Sequence, residues 1–472
     1  MFAHAVCLVN VRAVADGGVA ETLRFSSRIL GLGDAPRAGD TVIDGAGAVV
    51  LPGLVNAHDH LELNHYGRLK CRERYANASQ WIDDLRPRLS ADPAIRDGRA
   101  HPLGERLFIG ALKNLLSGVT TVAHHNPFYP ELRRTVPIRV VRRYGWAHSF
   151  QLERQPAGAR GEPGGDIAER ARATPADAPF MVHLAEGVDD IAGGELPRLE
   201  ALGCLKSNTV IVHGVAIDEN GWRRVARAGA GLVWCPASNN FLFGRTAPVR
   251  ELLDLNGQAP AIALGTDSRV TGSRDLLDEL RVARDAERVT AEELFAMVTT
   301  RAAALLHQPR VGRLSVGGLA DLVMLHGVGS FPQGVGNRFS YGFPAENRAA
   351  GRAAVATRGS GLGNGSQGVE NRENDRRNDS RPLVENAGRR ENGSRPPVEI
   401  LAALLAATRR DVRLVVVDGR PLVADPDLAP VFDARRVVPR PIRVDDMLKI
   451  AESGLTRRIA GCPIVEPGVS AA

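Results

Sequence analysis

The stretch LPGLVNAHDHLEL, residues 51–63, is the strongest indication of the fold of this chain. A short apolar segment there leads into His58 and His60, two residues apart. Because successive side chains of a β-strand point to opposite faces, both imidazoles point to the same side. Two histidines on one face supply half of a metal site. The spacing alone is a weak signal, since such pairs are common in ordinary strands, and its meaning depends on the rest of the chain.

Apolar strands alternate with helical stretches after this segment, as in ERLFIGALKNLLSG followed by VTTVAHH. This alternation is typical of parallel βαβ units. The later strands also end in residues that bind metals or transfer protons. These residues are His124 and His125, then His183 with Glu186, then His213, and then Asp267. The chemistry of the chain is therefore expected where the strands end.

The spacing of these residues tests whether the strands belong to one barrel. His183 follows His58 by 125 residues, and His213 follows His183 by 30. Asp267 lies 54 residues beyond His213. If the four residues mark strands 1, 5, 6 and 8, one unit of about 30 residues fits all three gaps, as a strand, a helix and two loops require. We therefore predict an α/β fold with a TIM-like (β/α)8 barrel over residues 52–307.

A barrel of this kind carries its active site at the C-terminal ends of the strands, where these polar side chains fall. Several histidines and an aspartate buried together would otherwise cost a large desolvation free energy. A bound divalent metal removes this cost, because imidazole nitrogens and a carboxylate are usual ligands of zinc and iron. The pattern therefore predicts a metal-dependent enzyme.

With these motifs in this order, the sequence resembles the amidohydrolase superfamily. The resemblance is to its aminohydrolase branch, which contains cytosine-, guanine- and adenosine-type deaminases and triazine chlorohydrolases. The resemblance covers about residues 40–327 and resumes near residue 412. It rests on VIDGAGAVVLPGLVNAHDH, SGVTTVAHH, HLAEG, VHG, CPASNNFLFGRTAPVRELLDLNGQAPAIALGTDS and VGRLSVGGLADLVML, in this order.

The resemblance implies a role for each of the polar residues. The metal ligands would be His58, His60, His183 and Asp267, with Asp267 also orienting the attacking water. Glu186 would act as a proton shuttle, and His213 would stabilise charge on the substrate. These roles suit the chemistry, since a metal lowers the pKa of a bound water and a nearby carboxylate can accept its proton.

The expected number of metal ions follows from one difference between this sequence and some members of the superfamily. Several enzymes of this kind hold two metals bridged by a carboxylated lysine on strand 4, but no lysine lies between His125 and His183. We therefore expect one divalent metal ion, zinc in the first place and iron as the alternative. Either His124 or His125 could line the pocket, and the sequence does not distinguish them.

Three functions fit this pattern. The first is hydrolytic deamination of an amino-substituted heterocycle or amidine, an attack on a carbon–nitrogen bond other than a peptide bond. The second uses the same metal site to hydrolyse a carbon–halogen, amide or cyclic amide bond. The third is a non-catalytic, assembly-forming relative, which the complete set of ligands disfavours. In each of the first two, the substrate is a small molecule that pocket residues select.

Composition excludes other classes of partner. The formal net charge is +6, but only four of the 60 basic residues are lysines, and the arginines are interspersed with acids along the chain. We therefore expect no nucleic-acid partner. The five cysteines are scattered, and we find neither a signal-peptide pattern nor a long apolar run. A cytoplasmic protein without membrane contact is expected, and the resemblance also allows a homodimer.

The two ends of the chain are predicted to build one small β-sandwich domain. Its parts are residues 1–51, a returning strand in 308–327, and residues 398–440, with residues 441–472 as a C-terminal tail. Between them, residues 328–397 read as an irregular and disordered insertion. Within it, residues 358–397 include only four from the Leu, Ile, Val and Phe set, namely Leu362, Val369, Leu383 and Val384. Such a segment buries too little apolar surface to offset its chain entropy.

Deleting residues 358–397 and joining the ends with a short flexible linker should leave metal content and thermal stability nearly unchanged. The reason is the scarcity of apolar residues in this segment. Elemental analysis and a thermal melt of the deletion variant, beside the full chain, measure both quantities. A large fall in melting temperature would show that the segment packs on the rest of the protein.

Overall fold

The computed structural model describes residues 4–150, 166–255, 259–327 and 398–472. The predicted insertion over residues 328–397 lies outside these ranges, so its prediction stays open. All described residues belong to one compact unit of the chain.

Five strands form at the N-terminal end, where Val, Leu, Ala and Ile alternate with polar residues and Gly-containing turns. The longest two, β1 and β5, pair in parallel, while β2 and β3 pair antiparallel with β1. The strands are β1 (Val6–Ala15), β2 (Gly18–Ala20), β3 (Leu23–Phe25), β4 (Ile29–Leu32) and β5 (Thr41–Pro52).

Eight parallel strands follow. They occur in chain order, and they pair as one sheet of three strands and one of five. These strands are β6 (Leu54–Asp59), β7 (Val119–His124), β8 (Arg139–Val140), β9 (Gly145–Ala147), β10 (Phe180–Leu184), β11 (Thr209–His213), β12 (Gly231–Trp234) and β13 (Ala261–Leu264).

The last of these strands lies beside the first. The backbone amides of Thr266 and Asp267, just beyond β13, both donate to the carbonyl oxygen of His58, at 3.0 and 3.1 Å. Small apolar side chains from both sheets also share one buried cluster, which includes Val55 of β6 and Ala263 of β13. Side chains of the two sheets therefore pack in one shared buried cluster.

Helices and loops connect these strands unevenly. Residues 60–118 separate β6 from β7, whereas only residues 141–144 separate β8 from β9. The prediction of a near-constant unit of about 30 residues is therefore wrong for the strands before His183. A long and a short connection there give the same average length as regular units would. The helices are α1 (Ala78–Leu85), α2 (Arg88–Ala91), α3 (Pro93–Ala100), α4 (Leu103–Leu116), α5 (Ile167–Ala173), α6 (Asp190–Gly193), α7 (Glu195–Ala201), α8 (Glu219–Arg227), α9 (Pro236–Phe243), α10 (Val249–Leu253), α11 (Leu276–Ala286), α12 (Ala291–Met297) and α13 (Thr300–Leu305).

The C-terminal part returns to the N-terminal sheet. The returning strand β14 pairs antiparallel with β5, and the strands after it extend the sheet to eleven. These elements are β14 (Leu322–Leu325), α14 (Val398–Ala406), β15 (Val412–Val417), β16 (Arg420–Ala424), α15 (Ala429–Ala434), β17 (Pro439–Val444), β18 (Met447–Glu452), α16 (Ser453–Gly461) and β19 (Val469–Ala471). Among all described helices, none has the length and apolarity needed to span a lipid bilayer.

Residues 441–472 are more than the tail we predicted. They supply β18, β19 and most of β17, because alternating apolar residues such as Ile442 and Val444 complete the core beside the sheet. A buried ion cluster then ties this segment to the loop after β13. The carboxylate of Glu466 accepts from both Nη atoms of Arg269, at 2.8 and 2.5 Å, and from Nη1 of Arg409 at 2.7 Å.

Replacing Glu466 by alanine should lower the free energy of unfolding by about 3–5 kcal/mol, because two buried guanidinium groups would lose their shared counter-ion. Glu466 and Arg409 each expose 1% of the side chain, and Arg269 exposes 9%. Urea denaturation measures the change. The matched control is Asp177→Ala, which removes an ion pair with Arg143 in which both side chains are mostly exposed. The control should change stability little, and equal effects of the two substitutions would contradict the role of burial.

Candidate metal centre

Four of the predicted residues meet at the ends of three strands. His58 lies in β6 with His60 just beyond it, His183 lies in β10, and Asp267 follows β13. The Nε2 atom of His183 lies 3.3 Å from that of His60 and 3.4 Å from that of His58. Oδ1 of Asp267 lies 3.7 Å from Nε2 of His58 and 3.8 Å from Nε2 of His60. The structure thus brings the four side chains to one point.

These distances allow a test of whether a metal fits. Zinc–nitrogen bonds of 2.0–2.1 Å in a tetrahedral site place neighbouring ligand atoms about 3.3 Å apart. The distances from His183 to His60 and to His58 match this separation, and the carboxylate oxygen is slightly farther away. Burial lowers the pKa of His58, and it lowers those of His60 and His183 well below the ordinary value. Neutral imidazoles with converging lone pairs are what a metal ion requires.

The carboxylate of Asp267 is held on its far side. Oδ2 accepts hydrogen bonds from the hydroxyl of Ser238 at 2.9 Å and from that of Thr271 at 2.7 Å. The backbone amide of Ser268 donates to Oδ1 at 2.7 Å. These contacts fix the plane of the carboxylate while Oδ1 faces the histidines. Sequence analysis missed both hydroxyls, which occupy neighbouring loops and carry no recognisable spacing.

The backbone is unusual where these strands end. Ala185, His213 and Asp267 have φ angles of 53°, 75° and 51°, in the left-handed region that residues other than glycine seldom adopt. Such conformations cluster at functional sites, where the surrounding structure compensates for the strain. Gly265 has a related role, since a Cβ atom there would lie 2.7 Å from Cβ of His58. Glycine at this position allows the backbone after β13 to approach the first ligand.

Glu186 and His213 form a second group beside the ligands. Oε1 of Glu186 lies 3.5 Å from Nε2 of His213, and Nδ1 of His213 donates to Oδ1 of Asn239 at 2.9 Å. The amide of Asn239 is oriented by its own donation to the hydroxyl of Thr246, at 3.1 Å. With its proton on Nδ1, a neutral His213 directs a lone pair at the carboxyl group. The two side chains therefore pair favourably when they share one proton.

The environment of Glu186 suits proton transfer. Burial raises the pKa of this carboxyl to about 7, so the group gains and loses a proton near neutral pH. Its side chain is 14% exposed, and it lines a small cleft with Ser149 and Glu195. The role of Glu186 as a proton shuttle stays a prediction.

A buried polar network behind the ligands was not foreseen. Nζ of Lys113, with no exposed side-chain surface, lies 3.2 Å from Oδ2 of Asp59. It also donates to Asn64 Oδ1 at 2.7 Å, to Thr266 Oγ1 at 3.1 Å and to the carbonyl of Asp267 at 3.3 Å. The network joins the loop after β6 to the loop after β13. A lysine within the apolar helix LFIGALKNLL was the signal for it.

The chain is similar in sequence to known proteins. A model of the amidohydrolase family matches residues 159–347. The chain is 28% identical over 351 residues to a 5-methylthioadenosine/S-adenosylhomocysteine deaminase of Natronomonas pharaonis, covering 64% of this chain and 78% of that protein. A protein of the same name from Halobacterium salinarum is 29% identical over 364 residues, covering 66% and 80%.

Solved structures show a similar fold. Zinc-bound atrazine chlorohydrolase from Arthrobacter aurescens superposes with a TM-score of 0.60 at 18% identity, over 91% of this chain and 99% of that one. Zinc-bound adenosine deaminase from Xanthomonas campestris gives 0.57 at 17% identity, over 92% and 97%. The family match and the sequence relatives, in turn, show that the chain belongs to the aminohydrolase branch of the amidohydrolase superfamily.

Proposed function

We propose that this protein is a metal-dependent deaminase that replaces an exocyclic amino group of a heterocycle with an oxygen from water. The observation that supports the proposal most is the arrangement just described. Ligand nitrogens of three histidines lie within 4.8 Å of one another, and Oδ1 of Asp267 lies 3.7 and 3.8 Å from two of them. A glutamate paired with a histidine lies beside them. Purine nucleosides with a thioether substituent are the first substrates to test, since sequence relatives are named as deaminases of such compounds.

His58, His60, His183 and Asp267 would hold the metal. A divalent ion there would supply Lewis acidity, which lowers the pKa of a water molecule towards about 7. We propose zinc, because this donor set suits it and the two solved relatives described above contain zinc. Iron also accepts imidazole and carboxylate ligands and is the alternative.

The chain's own residues would move the protons. Glu186 accepts a proton from the attacking water and delivers it to the departing amine, so one water is consumed and one ammonia is released. Its raised pKa keeps both directions of transfer accessible near neutral pH. His213, held by Asn239, keeps the glutamate carboxyl oriented, and when the proton it shares with Glu186 resides on its Nε2 it stabilises negative charge that develops on the substrate. Asp267, fixed by two hydroxyls, orients the water for attack.

We also infer the complete architecture that positions this site. The eight parallel strands β6 to β13 would form one TIM-like barrel, an inference supported by the amides that reach His58 and by the shared cluster of small residues. The eleven-stranded sheet would be the composite β-sandwich domain, with residues 441–472 added to the parts predicted from the sequence. A cytoplasmic location and a homodimer stay predictions.

The decisive experiment is a screen for ammonia release. Purified protein is loaded with zinc or with ferrous iron, and it is incubated with purines, pyrimidines, pterins and triazines, including 5-methylthioadenosine and S-adenosylhomocysteine. We expect about one metal per chain, as the single set of four ligands implies, and ammonia from at least one amino-substituted ring. Release of halide or another leaving group without ammonia would favour the second hydrolytic function. Absence of both bound metal and turnover would favour the non-catalytic reading.

A further inference from the structure

We propose that His125 is a positioning residue of the metal centre, which fixes the ring orientation and the tautomer of the ligand His58. This inference rests on the proposed function, because it needs His58 to bind a metal through Nε2. His125 follows the last residue of β7 and is fully buried. Its Nδ1 lies 3.2 Å from Nδ1 of His58, and its Nε2 lies 2.8 Å from the carbonyl oxygen of Ala147.

Proton positions follow from these two contacts. A carbonyl oxygen only accepts hydrogen bonds, so Nε2 of His125 carries a proton. The ligand atom of His58 is Nε2, which lies 3.4 Å from Nε2 of His183, so the proton of neutral His58 resides on Nδ1. Nδ1 of His125 must then be an acceptor, since a second proton there would face the one on His58. The result is a directed chain from His58 through His125 to Ala147.

The same ring also supports a second ligand. His125 stacks on His183 with ring centroids 4.2 Å apart and planes 3° from parallel. It meets the ring of His58 at a nearly perpendicular angle of 88°, with centroids 4.9 Å apart. His125 thus faces one ligand imidazole by hydrogen bonding and one by close stacking, and its ring centroid lies 5.6 Å from that of the third, His60. A side chain in this position limits rotation of both rings before any metal arrives.

Metal-bound histidines usually donate their second nitrogen to a carboxylate, a carbonyl or water, and this partner fixes the ring. In this chain an imidazole takes that place, and a backbone carbonyl stands behind it. His125 can accept only in the tautomer that Ala147 imposes. The backbone of β9 therefore determines, through His125, which nitrogen of His58 is free for the metal.

His124 provides a matched comparison. It is the preceding residue and is also fully buried, but its Nδ1 accepts from the amide of Leu61 at 3.4 Å and its ring faces Tyr129. Among the described contacts of His124 there is no hydrogen bond to a ligand imidazole. Replacing either histidine changes the packing of the same strand end. Only replacement of His125 removes a partner of His58.

The test measures metal binding, with zinc affinity determined by competition against a chelator and site geometry by the visible spectrum of the cobalt-substituted protein. His125→Phe keeps a flat ring but removes the acceptor, and it should weaken zinc binding by about 10- to 100-fold. His125→Asn should restore binding, since its Oδ1 accepts near the place of Nδ1. His124→Phe should bind zinc as the unmodified protein does. The melting temperature of each metal-free variant reports changes that are only structural.

Each outcome decides the proposal. Weak zinc binding by His125→Phe, with recovery in His125→Asn and an unchanged cobalt spectrum in His124→Phe, supports it. Equal zinc affinity of His125→Phe and the unmodified protein overturns it, while the metal centre itself still stands. If His125→Phe does not fold, His125→Ala takes its place, and equal affinities of the Ala and Asn variants also overturn it. Failure of the unmodified protein to bind zinc or cobalt overturns the proposed metal centre and this role together.

Discussion

Replacing Glu186 by glutamine should lower turnover by about 10²- to 10⁴-fold while the metal stays bound. Glutamine keeps the size and the hydrogen-bonding capacity of the side chain, but it cannot accept a proton from water and pass it on. Glu186 is not one of the four converging ligands, so its replacement leaves their geometry intact. Steady-state rates on the substrate found by the screen, with elemental analysis of the same sample, measure both quantities.

Glu195→Gln is the matched control for this experiment. Burial raises the pKa of Glu195 to about 7, as it does that of Glu186, and both side chains line the same cleft. Glu195 accepts a hydrogen bond from the amide of Ala185 at 2.7 Å, and a glutamine oxygen can keep that bond. The control should therefore retain most of the activity. Near-normal turnover in Glu186→Gln would show that another group transfers the proton, and the proposed mechanism would lose its main residue.

The positions of the converging side chains were predictable because each lies where an apolar strand ends. A strand end is a local pattern, and parallel strands bring their C-terminal ends to one edge, so order along the chain was enough. His58, His183 and Asp267 meet in the structure for this reason. The spacing argument succeeded for the later strands only. It failed before His183, where the long connection after β6 and the short one before β9 offset each other.

The buried polar contacts that support the metal ligands could not be predicted from strand ends. Lys113 reaches Thr266 across 153 positions of sequence, and Arg269 reaches Glu466 across 197. Neither pair has a local signature, since each depends on how helices and the C-terminal segment pack. The one available signal was chemical. A charged residue in an otherwise apolar helix, such as Lys113 in α4, must find buried partners, because an unpaired charge in the core is too costly.

His124 and His125 show most clearly what the sequence could not predict. Adjacent histidines at a strand end look equivalent in sequence, yet alternation directs their side chains to different surroundings. His125 contacts the rings of His58 and His183, whereas His124 contacts Leu61 and Tyr129. The choice depends on where β7 ends relative to β6, which is a matter of register. One residue of shift would exchange the two roles.

Replacing His183 by alanine should abolish both metal retention and turnover. Nε2 of His183 lies within 3.4 Å of the ligand nitrogens of both His58 and His60, so it closes the donor set on the side of β10. Two histidines and one carboxylate would remain at a site shaped for four donors, and no other described donor replaces the lost nitrogen. The loss should exceed the roughly 10- to 100-fold effect typical of a group that only supports a ligand.

Metal retained after dialysis against a chelator, with turnover on the same substrate, distinguishes this loss from a folding defect. Asp267→Asn should fall between His183→Ala and the unmodified protein, because an amide oxygen can still coordinate but carries no charge. The hydroxyls of Ser238 and Thr271 would still hold that side chain in place. If His183→Ala kept a full complement of metal, the ion would have to lie elsewhere, and the convergence of three imidazoles at the strand ends would need another explanation. The melting temperature of metal-free His183→Ala is compared with that of the metal-free unmodified protein. The two should be similar, since a metal ligand stabilises the metal-bound protein far more than the metal-free one.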